Sequence, residues 1–148
     1  MRGGDIYYKY EIDYYIREAF MKRSAQREAI LSELRMLVTH PTAEELFVRL
    51  KAKMPHLSPA TVYRNLEQFS KNGLILKLEC GGAVKRFDGN IVPHPHKRCL
   101  QCGRISDLKN SELDLLQERL LELMDKFNCS SVSVEYGEVC CDCIAKKE

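Results

Sequence analysis

No stretch of this 148-residue sequence approaches the roughly 20 apolar residues that span a bilayer, so a helical membrane protein is not expected. The first thirty residues also lack the apolar run and small-residue cleavage site of a secretion signal. Without an exported, oxidising setting, the seven cysteines are not expected to pair as disulfides; the expected compartment is the cytoplasm, with thiols reduced. Internal repeats and low-complexity tracts are missing too, and the length suits one ordinary domain or two small ones braced by metal. Net charge is nearly absent, at +2. It is unevenly spread, however: residues 1–88 carry +4, with 15 Lys/Arg against 11 Asp/Glu, and the remainder carries −2, with 8 against 10. A mildly basic front half suits nucleic acid, although a chance excess of a few charges explains it equally well.

What the first half does hold is a series of helix signals. After a tyrosine-rich start (Tyr7, Tyr8, Tyr10, Tyr14, Tyr15), Ile12, Ile16, Ala19 and Phe20 recur at helical spacing from about residue 10. Ser24 then serves as N-cap to a helix striped by Ile30, Leu31, Leu34, Leu37 and Val38, ended by His40-Pro41. Thr42-Ala43-Glu44-Glu45 has capping-box spacing and opens a helix buried through Leu46, Phe47, Leu50 and Met54. Ser58-Pro59 caps the next, and Gly73 stands where a left-handed C-terminal cap belongs. At about 100° per residue, Val62, Leu66 and Phe69 share one face of this helix; Ala60, Tyr63, Arg64, Glu67 and Lys71 share the opposite one. Partial alternation over Leu74–Cys80, the turn Gly81-Gly82 and a return over Ala83–Asp88 predict a β-hairpin.

Helices followed by a hairpin describe a winged helix, whose last helix enters the DNA major groove while the wing touches the backbone. Tyr63 and Arg64, with Ala60 and Thr61 at the helix start, then face DNA; Lys77, Lys85 and Arg86 on the wing contact phosphates without reading sequence. The plain alternative is a helical domain with a solvated polar face. Residues 89–95, with two prolines and Gly89-Asn90, mark a hinge. Beyond it, Ile105–Leu108 reads as a strand, Leu113, Leu116, Leu120, Leu123 and Phe127 stripe a helix capped by Ser111, and Val132, Val134 and Tyr136 alternate on another strand. The expected class is α+β: a winged-helix DNA-binding domain over 1–88, with 1–20 as an extension, and a small α/β dimerisation domain over 96–148. That second domain has little core of its own, so a second copy and a structural metal are expected to support it.

The metal is visible in the spacing. Cys99-x-x-Cys102 is repeated as Cys140-x-x-Cys143, with 37 residues between, and two such knuckles close a tetrahedral four-sulfur site suited to Zn2+. A redox pair or an iron–sulfur cluster would need an active-site turn or ferredoxin spacings that are absent. Cys141 competes with Cys140 as ligand, and Cys80 and Cys129 read as ordinary, partly buried thiols. His94-x-His96, with Asp88 before and Asp107 after, suggests a second site of nitrogen and oxygen donors; the alternative is surface residues, as for His56 and Asp5.

Several runs together resemble the ferric uptake regulator superfamily: Gln26-Arg27, His40-Pro41-Thr42-Ala43-Glu44-Glu45-Leu46, Ser58-Pro59-Ala60-Thr61-Val62-Tyr63-Arg64-Asn65-Leu66, Arg86-Phe87-Asp88, His94-x-His96-x-x-Cys99-x-x-Cys102-Gly103 and the terminal Cys-x-x-Cys. The resemblance runs from about residue 24 to the end and implies a homodimeric, metal-dependent repressor on a palindromic double-stranded operator. It implies structural Zn2+ on Cys99, Cys102, Cys140 and Cys143, and regulatory Fe2+ or Mn2+ on His40, Asp88, His94, His96 and Asp107. Asp107 stands where peroxide-sensing members have aspartate and iron-sensing ones commonly glutamate, so the expected signal is peroxide, read by Fe2+-dependent oxidation of His40 or His94. A plain iron- or manganese-responsive uptake regulator is the alternative, with a zinc-responsive one behind it; the competing class, a zinc hydrolase or thiol oxidoreductase, would need an open metal position or a reactive thiol. Residues 1–20 have no counterpart in the resemblance. Residues 97–148 contain no histidine, so the further metal site of many members is not expected.

Overall fold

The computed structural model describes residues 8, 10–15, 24–79, 84–108, 111–129 and 132–146, without the side chains of 111–114. The chain divides into two compact units, one over Tyr10–Ile91 and one over Val92–Glu148.

In the first unit residues 10–15 are helical, followed by α1 (Ala25–Arg35), α2 (Ala43–Lys51) and α3 (Pro59–Lys71). Each begins on a side chain that accepts a first-turn N–H. Ser24 accepts from Arg27 N at 3.3 Å and Ser58 from Thr61 N at 3.2 Å. Thr42 and Glu45 cap reciprocally, at 3.1 and 2.9 Å. Past α3, Gly73 has φ +67°, and the Gly73 and Leu74 N–H groups reach back to the carbonyls of Ser70 and Phe69. This left-handed closure turns the chain sharply, which a residue with a Cβ resists. Strands β1 (Leu76–Glu79) and β2 (Lys85–Asp88) pair antiparallel, Leu76 opposite Asp88. Three helices and a two-stranded ribbon give the element order of a winged helix.

The core of this unit joins Ile30, Leu31 and Leu34 of α1, Leu46 and Leu50 of α2, Val62, Leu66 and Phe69 of α3, and Leu57, Leu74, Ile75 and Phe87. Tyr14 closes one side, with the Arg35 guanidinium 4.2 Å from its ring centre. Two expected core residues sit differently. Helix α1 stops at Arg35, so Leu37 is only partly buried and Val38 lies exposed, off the helical register. Along β1 the expected alternation is blunted, because Leu76, Lys77 and Leu78 are all half-buried and the core contact falls to Leu74 and Ile75 just before it. Ile16, Ala19, Phe20, Cys80 and the Gly81-Gly82 turn lie outside the described residues.

The second unit is built on β3 (His96–Cys99), which pairs antiparallel with β4 (Ile105–Asp107) and parallel with β5 (Glu135–Glu138), between which it lies. Helix α4 (Ser111–Phe127) joins β4 to β5, and a short α5 (Cys141–Ala145) follows. Two expectations are corrected. Strand β5 starts at Glu135, after Val132 and Val134, because the pairing runs from His96 onward and Pro95 has no N–H to extend it; Val134 contributes only its carbonyl, to the His96 N–H at 3.0 Å. On α4 the buried residues are Leu120, Leu121 and Met124, whereas Leu123 and Phe127 of the expected stripe are exposed, as is Leu115. The helix is about 25 Å long against about 13 Å for a four-residue strand, so the unit's own sheet is too short to cover it. Side chains at Ser111 and Leu113, the expected cap and stripe start, lie outside the described residues. No helix among the described residues is long and apolar enough to cross a membrane.

Candidate metal centres and DNA-facing surface

Cys99 ends β3, and the turn that follows is closed by the Gly103 N–H on the Cys99 carbonyl at 2.9 Å, with Gly103 at φ +69°. Cys140 precedes α5, and the Cys143 N–H bonds its carbonyl, also at 2.9 Å. These two knuckles bring four sulfurs together, with 3.8 Å between Cys99 and Cys143 and between Cys102 and Cys140, and all four within 4.8 Å of one another. A tetrahedral ion with bonds of about 2.3 Å requires ligand separations of about 3.8 Å, so the set fits Zn2+. Backbone N–H groups of Cys140 and Cys102 point at the Cys99 sulfur, at 3.3 and 3.5 Å, and lower its pKa to about 6; burial and the adjoining sulfurs push Cys143 up to about 12. One thiolate is thus favoured chiefly by backbone N–H groups, and a bound dication would deprotonate the others. Arg104 and Asp142 pair at 2.5 Å across the two knuckles. Cys141 turns away, its sulfur 3.7 Å from Asp142 Oδ1, so the knuckle uses Cys140. Cys129, expected to be partly buried, is exposed just beyond α4, and Cys80 lies outside the described residues.

The nitrogen and oxygen donors follow from strand register. His96 stands opposite Asp107 across β3 and β4, and His94, two residues earlier, takes the same side. His94 Nε2 lies 2.9 Å from Asp107 Oδ1, His96 Nε2 lies 4.0 Å from it, and the two ring centres are 4.4 Å apart. The other nitrogen of His94, Nδ1, is 2.7 Å from the Val92 carbonyl. Donation there leaves Nε2 as the ligand atom, the arrangement that orients metal-binding imidazoles. In the first unit His40 and Asp88 are both buried, His40 Nδ1 lies 3.6 Å from Asp88 Oδ1, and that oxygen accepts the Asn90 N–H at 2.8 Å. Each unit therefore carries oriented donors suited to a divalent ion with nitrogen and oxygen ligands. His40 carries no spacing signal, since it stands 48 residues before Asp88.

Of the DNA-facing candidates, Ala60, Tyr63 and Arg64 lie exposed on α3, and Thr61 is half-buried, its hydroxyl 2.9 Å from that of Ser58. Lys77 bonds Glu67 on α3 at 2.6 Å, fastening the ribbon to the helix, and Lys85 is half-buried. Arg86 is the correction. It is buried, and its guanidinium donates to the His40 carbonyl at 2.9 Å and to Glu45 Oε2 at 3.0 Å, so it is not available to a phosphate. Composition and spacing gave no sign of this network, although Glu45 was already visible as a capping residue.

The profile of the ferric uptake regulator family matches residues 18–136. The peroxide-responsive repressor PerR of Staphylococcus aureus (strain USA300) is 38% identical over 128 residues, 86% of either chain. Among solved structures, the Vibrio cholerae ferric uptake regulator is 28% identical, covering 85% of this chain and 97% of its own, with a TM-score of 0.62. The Helicobacter pylori regulator Fur, whose structure reveals three functional metal binding sites, is 26% identical over 97% of this chain and 95% of its own, with a TM-score of 0.61.

Proposed function

The chain belongs to the ferric uptake regulator family, and from that premise we propose that it is a cytoplasmic, homodimeric, metal-dependent transcriptional repressor that senses peroxide. The observation that carries this reading is the sorting of donors among the described residues: four sulfurs gather in one closed cluster, and the other grouped donors are imidazoles and carboxylates. A closed four-sulfur site has no position for a substrate, which argues for a regulator rather than a zinc enzyme. The structural role falls to Zn2+ on Cys99, Cys102, Cys140 and Cys143. The regulatory role falls to Fe2+ or Mn2+ on His40 and Asp88 of the first unit with His94, His96 and Asp107 of the second.

In this reading residues 1–88 bind DNA, 89–95 hinge, and 96–148 dimerise. One α3 per chain reaches too few bases for specificity, so two copies read a palindromic operator with Ala60, Thr61, Tyr63 and Arg64, while Lys77 and Lys85 hold phosphates. Ligands from both units are satisfied together only when the units close, so metal favours one arrangement of the two α3 helices. A coupling of about 1–3 kcal/mol, or about 5- to 150-fold in operator affinity, is the expected scale. Bound Fe2+ supplies the one-electron chemistry that activates hydrogen peroxide, and Mn2+ does not. The chain's part is to hold the imidazoles of His40 and His94 beside that reaction; one peroxide oxygen ends on a ring carbon and the other leaves as water. The altered ring no longer fits the ligand set, and DNA is released.

The test loads the protein anaerobically with Fe2+ or Mn2+, adds peroxide, and follows operator binding and peptide masses together. Release with iron alone, with one oxygen gained on the peptide holding His40 or His94, is expected. Release accompanied by oxidation confined to cysteines would point instead to a thiol switch at the zinc cluster. Iron-dependent binding untouched by peroxide would leave a plain iron-responsive regulator.

A further inference from the structure

Arg86 is a charged side chain buried on a strand where sequence placed a DNA contact, and what it holds is the backbone of His40. Four hydrogen bonds tie β2 to the segment 40–45, one of them from Arg86 Nη2 to Glu45 Oε1 at 3.4 Å. Arg86 Nη1 donates to the His40 carbonyl at 2.9 Å, and the same nitrogen reaches Glu45 Oε2 at 3.0 Å. Glu45 Oε2 in turn accepts the Thr42 N–H at 2.9 Å, and the Phe87 N–H donates to the Pro41 carbonyl at 3.0 Å. Two residues beyond Arg86 stands Asp88, whose carboxylate faces the His40 ring. The residue before Arg86 is Lys85, pointing to the other side of the strand.

Resting on the regulatory-metal reading above, we propose that Arg86 is a positioning residue for that metal: it fixes the His40 imidazole against Asp88 by clamping the His40 carbonyl and Glu45. The clamp has the form that such a role needs. A guanidinium is planar with several donors in fixed directions, so it serves a carbonyl and a carboxylate at once, which a lysine ammonium on a flexible stem does poorly. Its carboxylate partner also caps α2, so the turn 40–42 is held from the strand side and the helix side together. The His40 carbonyl and the Arg86 head are both withdrawn from water, where a charge-assisted bond is stronger than on the surface. Partners that orient a liganding group typically change metal affinity by about 10- to 100-fold.

The experiment measures Mn2+ affinity from the free-Mn2+ electron paramagnetic resonance signal in the full-length zinc-loaded protein. It compares wild type, Arg86→Lys, Glu45→Gln, His40→Ala, the double variant His40→Ala/Arg86→Lys, and His96→Ala. Thermal melting is recorded alongside. Arg86→Lys is expected to weaken Mn2+ by about 10-fold, and to have no further effect once His40 is alanine, because it acts through that ring. A loss of equal size in the His40→Ala background, or unchanged Mn2+ affinity in both Arg86→Lys and Glu45→Gln, overturns the proposal. Glu45→Gln keeps an acceptor for the Thr42 N–H while losing the charge, so it carries the test if Arg86→Lys does not fold. If wild type and His96→Ala bind Mn2+ alike, the regulatory-metal reading itself fails and the proposal with it; a His96-dependent site indifferent to Arg86 and Glu45 removes the proposal alone.

Discussion

The two units solve the problem of stability differently. The first buries thirteen apolar residues in one cluster and caps its three labelled helices with Ser24, Thr42 and Ser58. Among its described residues the second buries Val92, Ile105, Leu120, Leu121 and Met124 but leaves Leu115, Leu123, Phe127, Tyr136 and Val139 exposed. With so few buried apolar side chains among its described residues, a segment of this size (Val92–Glu148) falls in the range where metal or a partner copy supplies what a core does not. Local side-chain bonds and packing hold the first unit together; in the proposed reading, zinc on four thiolates and a second copy support the second. That reading expects loss of metal to unfold the second unit without dissolving the first.

The contrast breaks most visibly at the zinc cluster. Cys102→Ser, or chelation of the wild type, is expected to remove order from the second unit, since structural zinc contributes about 10–16 kcal/mol of apparent binding free energy in small domains. Amide exchange resolved by residue checks it: protection should vanish at Leu120, Leu121 and Ile105 and persist at Leu46, Leu66 and Phe69. Parallel loss in both units would mean that they are one folding unit. Next in size is Leu66→Ala, which hollows the first core and should cost about 2–5 kcal/mol there, leaving the zinc stoichiometry measured by metal analysis unchanged. A double change on α4, Leu123→Glu with Phe127→Lys, is then expected to shift the particle mass seen by light scattering from dimer to monomer while zinc is retained. Retention of the dimer would place the interface elsewhere.

How much of this was legible depends on how local the cause is. Caps at Ser24, Thr42, Ser58 and Gly73 are decided within a few residues, and the structure has each where the pattern put it. The four-sulfur cluster was legible because one spacing occurs twice. Register was less so: β5 was read three residues too early because its start is set by Pro95, just before β3, and α4 was given a buried stripe that only a larger sheet would cover. Arg86 was misread by grouping it with Lys85 as wing charge. Neighbours on a strand face opposite sides, so alternation separates Arg86 from Lys85; what it does not show is that Arg86's side is buried as Phe87's is, and holds the His40 carbonyl. His40 itself became a ligand candidate only through the family resemblance, because nothing near it in sequence binds metal.

The smallest expected effect distinguishes the two units by pH. Glu33 of α1 meets Lys53 at 2.7 Å and Arg49 at 3.3 Å, and the bond from Lys53 is the main reason its pKa is lowered. A carboxyl whose folded pKa lies below its unfolded value stabilises the fold above the unfolded value, and that contribution fades as pH falls through the folded one. Both cations are more than half exposed, so screening keeps the contribution to about 0.2–1 kcal/mol. Glu33→Gln should therefore lower the melting temperature of the first unit slightly at neutral pH, by an amount that fades as pH falls through the folded pKa of Glu33. The second unit should fail earlier on the same acid titration, since protons compete with zinc for its thiolates. Melts of wild type and Glu33→Gln at stepped pH, followed by a probe in each unit, test both halves: a difference that does not shrink as pH falls would remove the ion pair as its cause, and simultaneous acid loss of the two units would remove the distinction between a core-built first unit and a metal-built second one.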